Sequence, residues 1–135
     1  MPALAFALRR RRGQLPAELS EAGGLGERHI ATLVSLAVAG PGSVSEVAER
    51  MDMSLAHASL VVGELDGIGL VDRDHDDQDR RRIIVSLSDK AKPAVAKMSA
   101  RHAAPLVRFL SELENDEATR FIDQLTTLVS YLREG

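Results

Sequence analysis

Residues 43–87 read SVSEVAERMDMSLAHASLVVGELDGIGLVDRDHDDQDRRRIIVSL, and within them the hydrophobic period changes once. Ser43-Val44-Ser45-Glu46 has the form of a capping box: a hydroxyl accepts from the fourth residue's amide while the glutamate reaches back. Val47, Ala48 and Met51 then share one face of a short helix. Asp52 and Met53 make a tight connection, and Ser54 caps a second helix. On that helix Ala58, Val61, Val62 and Leu65 recur at i, i+3, i+4 and i+7, a 3.6-residue period, and Gly67 and Gly69 end it. From Leu70 the period falls to two. Leu70 and Val71 open a strand leading to Arg73, Asp74 to Gln78 is polar and turn-like, and Ile83, Val85 and Leu87 alternate as the return strand. The two strands are expected to pair antiparallel across a charged tip.

The flanks are helical. Upstream, Ile30, Leu33, Val34 and Ala37 repeat at helical spacing between Gly23-Gly24-Leu25-Gly26 and Gly40-Pro41-Gly42. Pro2 to Ala22 reads as helix interrupted near Gly13 and Pro16. Downstream, Ser88 caps a long helix with Val95, Met98, His102, Leu106, Phe109 and Leu113 on one stripe, which Pro105 should bend or break. Asn115 or Asp116 caps the last helix, whose apolar stripe runs from Ala118 to Leu132.

Composition narrows the function. The 135 residues suit one domain, or one domain with an appended dimerisation element, with 44% hydrophobic and 27% charged residues. Only Phe6, Phe109, Phe121 and Tyr131 are aromatic, too few for a reader of single strands that stacks bases. Without cysteine there is no disulfide, thiolate zinc site or thiol nucleophile, which fits a cytoplasmic setting. The longest mostly apolar stretch, Ile30 to Ala39, is half the length that spans a bilayer. Ala3 to Leu8 precedes Arg9 to Arg12, the reverse of a secretory signal. No phosphate loop, nucleophile elbow or zinc-protease motif is present, so no enzyme, cofactor or metal is expected. His29 and His75 lack partners at ligand spacing.

Net charge is −3, and it is uneven: +2 over residues 1–42, −5 over 43–90 and zero over 91–135. DNA binding must therefore rest on local placement. Two short helices and a hairpin form a winged helix-turn-helix, whose second helix fits the major groove while the wing reaches the minor groove. Arg80, Arg81 and Arg82 stand where such a wing needs cations. Asp74, Asp76, Asp77 and Asp79 can orient them. The alternative for the three arginines is a solvated turn paired with those aspartates. For Arg9 to Arg12 a solvated face or interface pairing is favoured over phosphate contact. His57 suits a base or phosphate contact as well as plain exposure, and His102 suits a core or pocket position.

Leu65-Asp66-Gly67-Ile68-Gly69-Leu70-Val71-Asp72-Arg73, then Asp76, Asp79-Arg80-Arg81 and Val85-Ser86-Leu87-Ser88, resembles the MarR family of bacterial transcriptional regulators without a gap. The resemblance implies a mainly α protein with a small β-hairpin (α+β), a lobe at 43–87 and dimerisation helices at 1–42 and 88–135. It implies a homodimeric regulator, commonly a repressor of a palindromic operator released by a small aromatic or hydrophobic effector. By position, Ser54 caps the recognition helix, and Ala56, His57, Ser59 and Leu60 lie on its DNA-facing side. Arg73 is similar to the backbone-contacting wing arginine. Arg80 and Arg81 sit in the wing, Arg81 taking the minor-groove position with Asp79 as its brace. His29, Ile30, Leu33, Met98 and His102 fall where an effector pocket is expected. Departures are Leu60 for a basic or polar residue, Asp77 for proline and Ala91 for glycine. Leu60 and the −5 charge keep a second reading open, a winged-helix protein-interaction module that has lost DNA readout. A helical ligand-binding protein without DNA function leaves the wing unexplained.

Overall fold

The computed structural model describes residues 25–134. The expectations for Pro2 to Ala22, including Arg9 to Arg12, lie outside the described residues. Contacts divide the chain into two compact units, Met1–Ala100 and Arg101–Gly135.

The first unit is the winged lobe. Its elements are α1 (Glu27–Ala39), β1 (Gly42–Ser43), α2 (Val44–Arg50), α3 (Leu55–Gly67), β2 (Val71–His75) and β3 (Ile83–Leu87), followed by the start of α4 (Ala91–Ser111). Both caps of the central pair form. The Glu46 amide donates to Ser43 Oγ at 3.2 Å while the Ser43 amide donates to Glu46 Oε2 at 3.3 Å. Ser54 Oγ accepts from the His57 amide at 3.1 Å.

Helices α2 and α3 end in the same way. Beyond α2, the Asp52 and Met53 amides bond back to the Glu49 and Ala48 carbonyls. Beyond α3, the Gly69 and Leu70 amides bond back to Asp66 and Leu65. This paired closure needs one residue in the left-handed region. Gly69 takes it at φ 76°, and Asp52 takes it at φ 51°, a conformation that aspartate tolerates better than most side chains. Gly69, rather than Gly67, therefore stops α3; Gly67 is its last helical residue.

The sheet has three strands, not the two of the expected hairpin. β3 is central, and its order is β1-β3-β2, all antiparallel. β1 is only two residues long, Gly42 opposite Val85 and Ser43 opposite Ile84. Gly42 suits this edge because a Cβ there would lie 2.8 Å from Glu46 Oε2 and 2.9 Å from Arg50 Nη2. β2 extends to His75, beyond the expected stop at Arg73, with Val71 opposite Leu87 and His75 opposite Ile83.

The core joins Leu33, Leu36, Val47, Val61, Val62, Leu65, Leu70, Val71 and Val85 with Ala91, Ala94, Val95 and Met98 of α4. On α1 the buried residues are Thr32, Leu33 and Leu36, with Ile30 and Val34 half-buried and Ala37 exposed, so the stripe is rotated from the expected one. Ser88 ties the sheet to α4: its hydroxyl donates to the Gly69 carbonyl at 2.7 Å and accepts from the Ala91 amide at 3.2 Å.

The second unit holds the rest of α4 and α5 (Asn115–Glu134). Of the expected bend or break at Pro105, the break does not occur: α4 runs on through the proline to Ser111. α5 starts at Asn115 itself, so Glu114 occupies the capping place expected of Asn115 or Asp116. The Phe109 and Phe121 rings meet edge to face, centroids 4.9 Å apart. α5 buries no residue, leaving Ile122, Leu125, Leu128, Val129 and Leu132 exposed. No helix among the described residues is long and apolar enough to cross a membrane.

Candidate nucleic-acid interface

The wing tip is a compact turn built from backbone and carboxylate contacts. The Asp76 amide donates to the Arg82 carbonyl at 2.8 Å, extending the β2–β3 ladder by one rung. The Arg82 amide donates to the Asp79 carbonyl at 2.9 Å and closes the turn around Arg80 and Arg81. Asp76 Oδ1 accepts from the Gln78 amide, and His75 Nδ1 donates to the Arg80 carbonyl at 2.7 Å.

The three arginines of the tip have different surroundings. Arg81 is 94% exposed. Its amide donates to Asp79 Oδ1 at 3.1 Å, and its Nε lies 3.5 Å from the same oxygen. Asp79 therefore fixes the base of the side chain while the rest stands in solvent. Arg80 is also exposed. Arg82 pairs through Nη2 with Glu46 Oε1 on α2, and its Nη1 lies 3.7 Å from Asp76 Oδ2. Arg82, which the sequence groups with Arg80 and Arg81 as a wing cation for DNA, lies instead against α2. The cause is β1. Ile84, on the same strand face as Arg82, is opposite Ser43, the N-cap of α2, so Arg82 lands beside the first turn of that helix.

Arg73 is held as well. Strand alternation puts Val71 and Arg73 on one face of β2, and Val71 enters the core while Arg73 emerges at its rim. There Nε and Nη2 donate to Asp66 Oδ2 on α3 at 3.0 and 2.8 Å.

On α3 the core side is Ala58, Val61, Val62 and Leu65. Ala56, His57, Ser59 and Leu60 are all exposed, and Ser54 is at the cap, so the predicted set lies together on the outer side of the first two turns. Of the residues expected at an effector pocket, Leu33 and Met98 are fully buried in the lobe's own core and Ile30 is half-buried. His29 accepts the Gly26 amide at Nδ1 (3.1 Å), and its Nε2 donates to Glu64 Oε2 at 2.5 Å, so both ring nitrogens are engaged. His102 lies in the second unit and is exposed.

The MarR family matches residues 25–83, the span from the start of α1 to the start of β3. Residues 25–83 are a MarR-family domain. A relative from Bacillus subtilis, the HTH-type transcriptional repressor MdtR, is 33% identical over 100 residues, covering 74% of this chain and 64% of MdtR. A second, the transcriptional regulator YfiV of the same organism, is 31% identical over 63% of this chain and 53% of its own length. The chain thus spans less than two thirds of these relatives. Among solved structures, the YusO protein from Bacillus subtilis is 26% identical with a TM-score of 0.58, covering 95% of this chain and 90% of YusO. Streptococcus pneumoniae FabT, solved in complex with DNA, shares the fold with a TM-score of 0.66 at 19% identity, covering 87% of this chain and 85% of FabT. The MarR-family lobe thus has the helix-turn-helix and wing that its sequence predicts, with the third strand added.

Proposed function

We propose that the protein is a DNA-binding transcriptional regulator, a repressor that binds a palindromic operator as a homodimer. The observation that carries this reading is Arg81, anchored at its backbone by Asp79 and 94% exposed at the tip of a wing. A pre-placed guanidinium suits a narrow minor groove, where negative potential is concentrated. α3, exposed along its outer side, is the element that would enter the major groove.

Dimerisation is supported by α5. Ala118, Ile122, Leu125, Val129 and Leu132 are spaced alternately by four and three residues, the seam of a two-heptad coiled contact. These side chains are half-buried or exposed in a single chain, and a second copy would cover them. Two recognition helices related by a two-fold would meet two similar half-sites about one helical turn apart. Ligand response enters only by kinship with the family.

Titration of a labelled duplex at several salt concentrations tests the core of this reading. Affinity should fall steeply with salt as phosphate counterions are released. Footprinting should give a symmetric site, and small aromatic acids added to the same titration test effector release. Salt-insensitive binding to a protein partner, with no duplex bound, would favour the interaction-module alternative suggested by the acidic 43–90 segment.

A further inference from the structure

From Leu55 to Gly67, α3 contains no arginine, lysine, asparagine or glutamine. Those are the side chains that read guanine or adenine by paired hydrogen bonds in the major groove. Its acids, Glu64 and Asp66, are already partnered by His29 and Arg73. The side away from the core carries mostly small and apolar groups, with Ser59 and the neighbouring His57 as its polar side chains. Ala56, Ser59, Leu60 and Gly63 recur at i, i+3, i+4 and i+7. They lie two residues, or about 200°, around the helix from the buried set Ala58, Val61, Val62 and Leu65. Leu60 is the tallest group on that face and is 60% exposed; Leu55, five residues earlier at the start of the helix, is 55% exposed.

We propose that α3 reads thymine through its 5-methyl group, with Leu60 as the principal specificity residue. This rests on the reading of α3 as the recognition helix. Thymine is the base that offers an apolar group in the major groove, and an alkyl side chain has no other base edge to match. Although residues 43–90 are acidic overall, the same lobe carries Arg80 and Arg81 exposed at its wing, cations that a polyanion needs and an apolar protein partner does not. Half-sites are therefore expected to place thymines, rather than guanines, opposite the first two turns of α3.

The experiment uses the full chain and a random-sequence duplex library. Selected half-sites should share thymine positions. Replacing those thymines by deoxyuridine removes only the methyl group, and should weaken binding about fourfold per methyl. Leu60→Ala removes an exposed side chain and so leaves folding intact, checked by its unfolding curve. In that variant the deoxyuridine penalty should vanish. Duplexes that are bound with no deoxyuridine penalty, or selected half-sites dominated by guanine, overturn the methyl reading and leave DNA binding standing. Failure to bind any duplex overturns the proposed function and this inference together.

Discussion

Neighbouring arginines at the wing tip should respond to alanine in opposite ways. Arg81 is 94% exposed, so Arg81→Ala should change folding stability by no more than about 0.5 kcal/mol. Its loss on DNA should be about 1–3 kcal/mol per half-site, or roughly 5- to 150-fold in affinity. Preference for narrow A·T-rich flanks should relax with it. Arg82 contacts Glu46 on α2 and approaches Asp76 across the hairpin. Arg82 and Glu46 are 44% and 40% exposed and Asp76 22%, so each pair contributes on the order of 0.2–1 kcal/mol. Arg82→Ala should therefore lower stability by about 1 kcal/mol, a shift of roughly 4–8 °C in Tm for a lobe of this size. On DNA it should weaken all sequences about equally, because the wing loses a tether and not a reader. Paired unfolding curves and titrations on an operator and a scrambled duplex, at fixed salt, measure both effects. Two results would refute the reasoning: Arg81→Ala binding both duplexes like wild type while folded, or Arg82→Ala changing sequence preference as much as Arg81→Ala does.

Leu125→Asp, in the middle of the α5 seam, should dissociate the dimer or unfold it, since a buried unpaired charge is costly; sedimentation that still shows a dimer would count against the seam. Ser88→Ala removes the hydroxyl between the Gly69 carbonyl and the Ala91 amide, and should cost about 1–3 kcal/mol in chemical denaturation. Leu33→Ala should cost about 2–5 kcal/mol by opening a cavity at a fully buried site, a loss read from the denaturation midpoint.

The elements that the sequence reading recovers are those whose signals are local. The Ser43–Glu46 box, the Ser54 cap, the i, i+3, i+4, i+7 set on α3 and the alternation of Val85 and Leu87 each need only a few residues of context. β1 escapes that reading because two residues have no period, and Gly40-Pro41-Gly42 has the composition of a turn. Arg82 is misdirected for the same reason: its partner, Glu46, is brought to it by a strand pairing that no local pattern announces. Arg73 is legible as a wing residue, but Asp66 as its partner depends on how closely β2 returns along α3. On α1, a helix with apolar residues at 30, 33, 34, 36, 37 and 38 offers two overlapping stripes, and packing selects the one through Leu36. The candidate pocket residues differ in kind, because Leu33 and Met98 have spacing equally suited to a ligand and to a core.

Glu46 deserves comparison with a keystone shared by two arches. One oxygen accepts the Ser43 amide and lies 3.9 Å from Arg50, and the other meets Arg82. Arg50 in turn donates to the Gly40 carbonyl at 2.7 Å, fastening the loop that carries β1. Positions 43, 46, 50 and 82 are consequently not free to drift one at a time. A lineage that loses Arg82 first keeps the whole capping box and a looser wing, whereas one that loses Glu46 first gives up the reciprocal half of the box and leaves Arg82 with Asp76 alone. The order of substitution, and not only its content, should be constrained, so relatives lacking Glu46 are expected to have changed position 82 already.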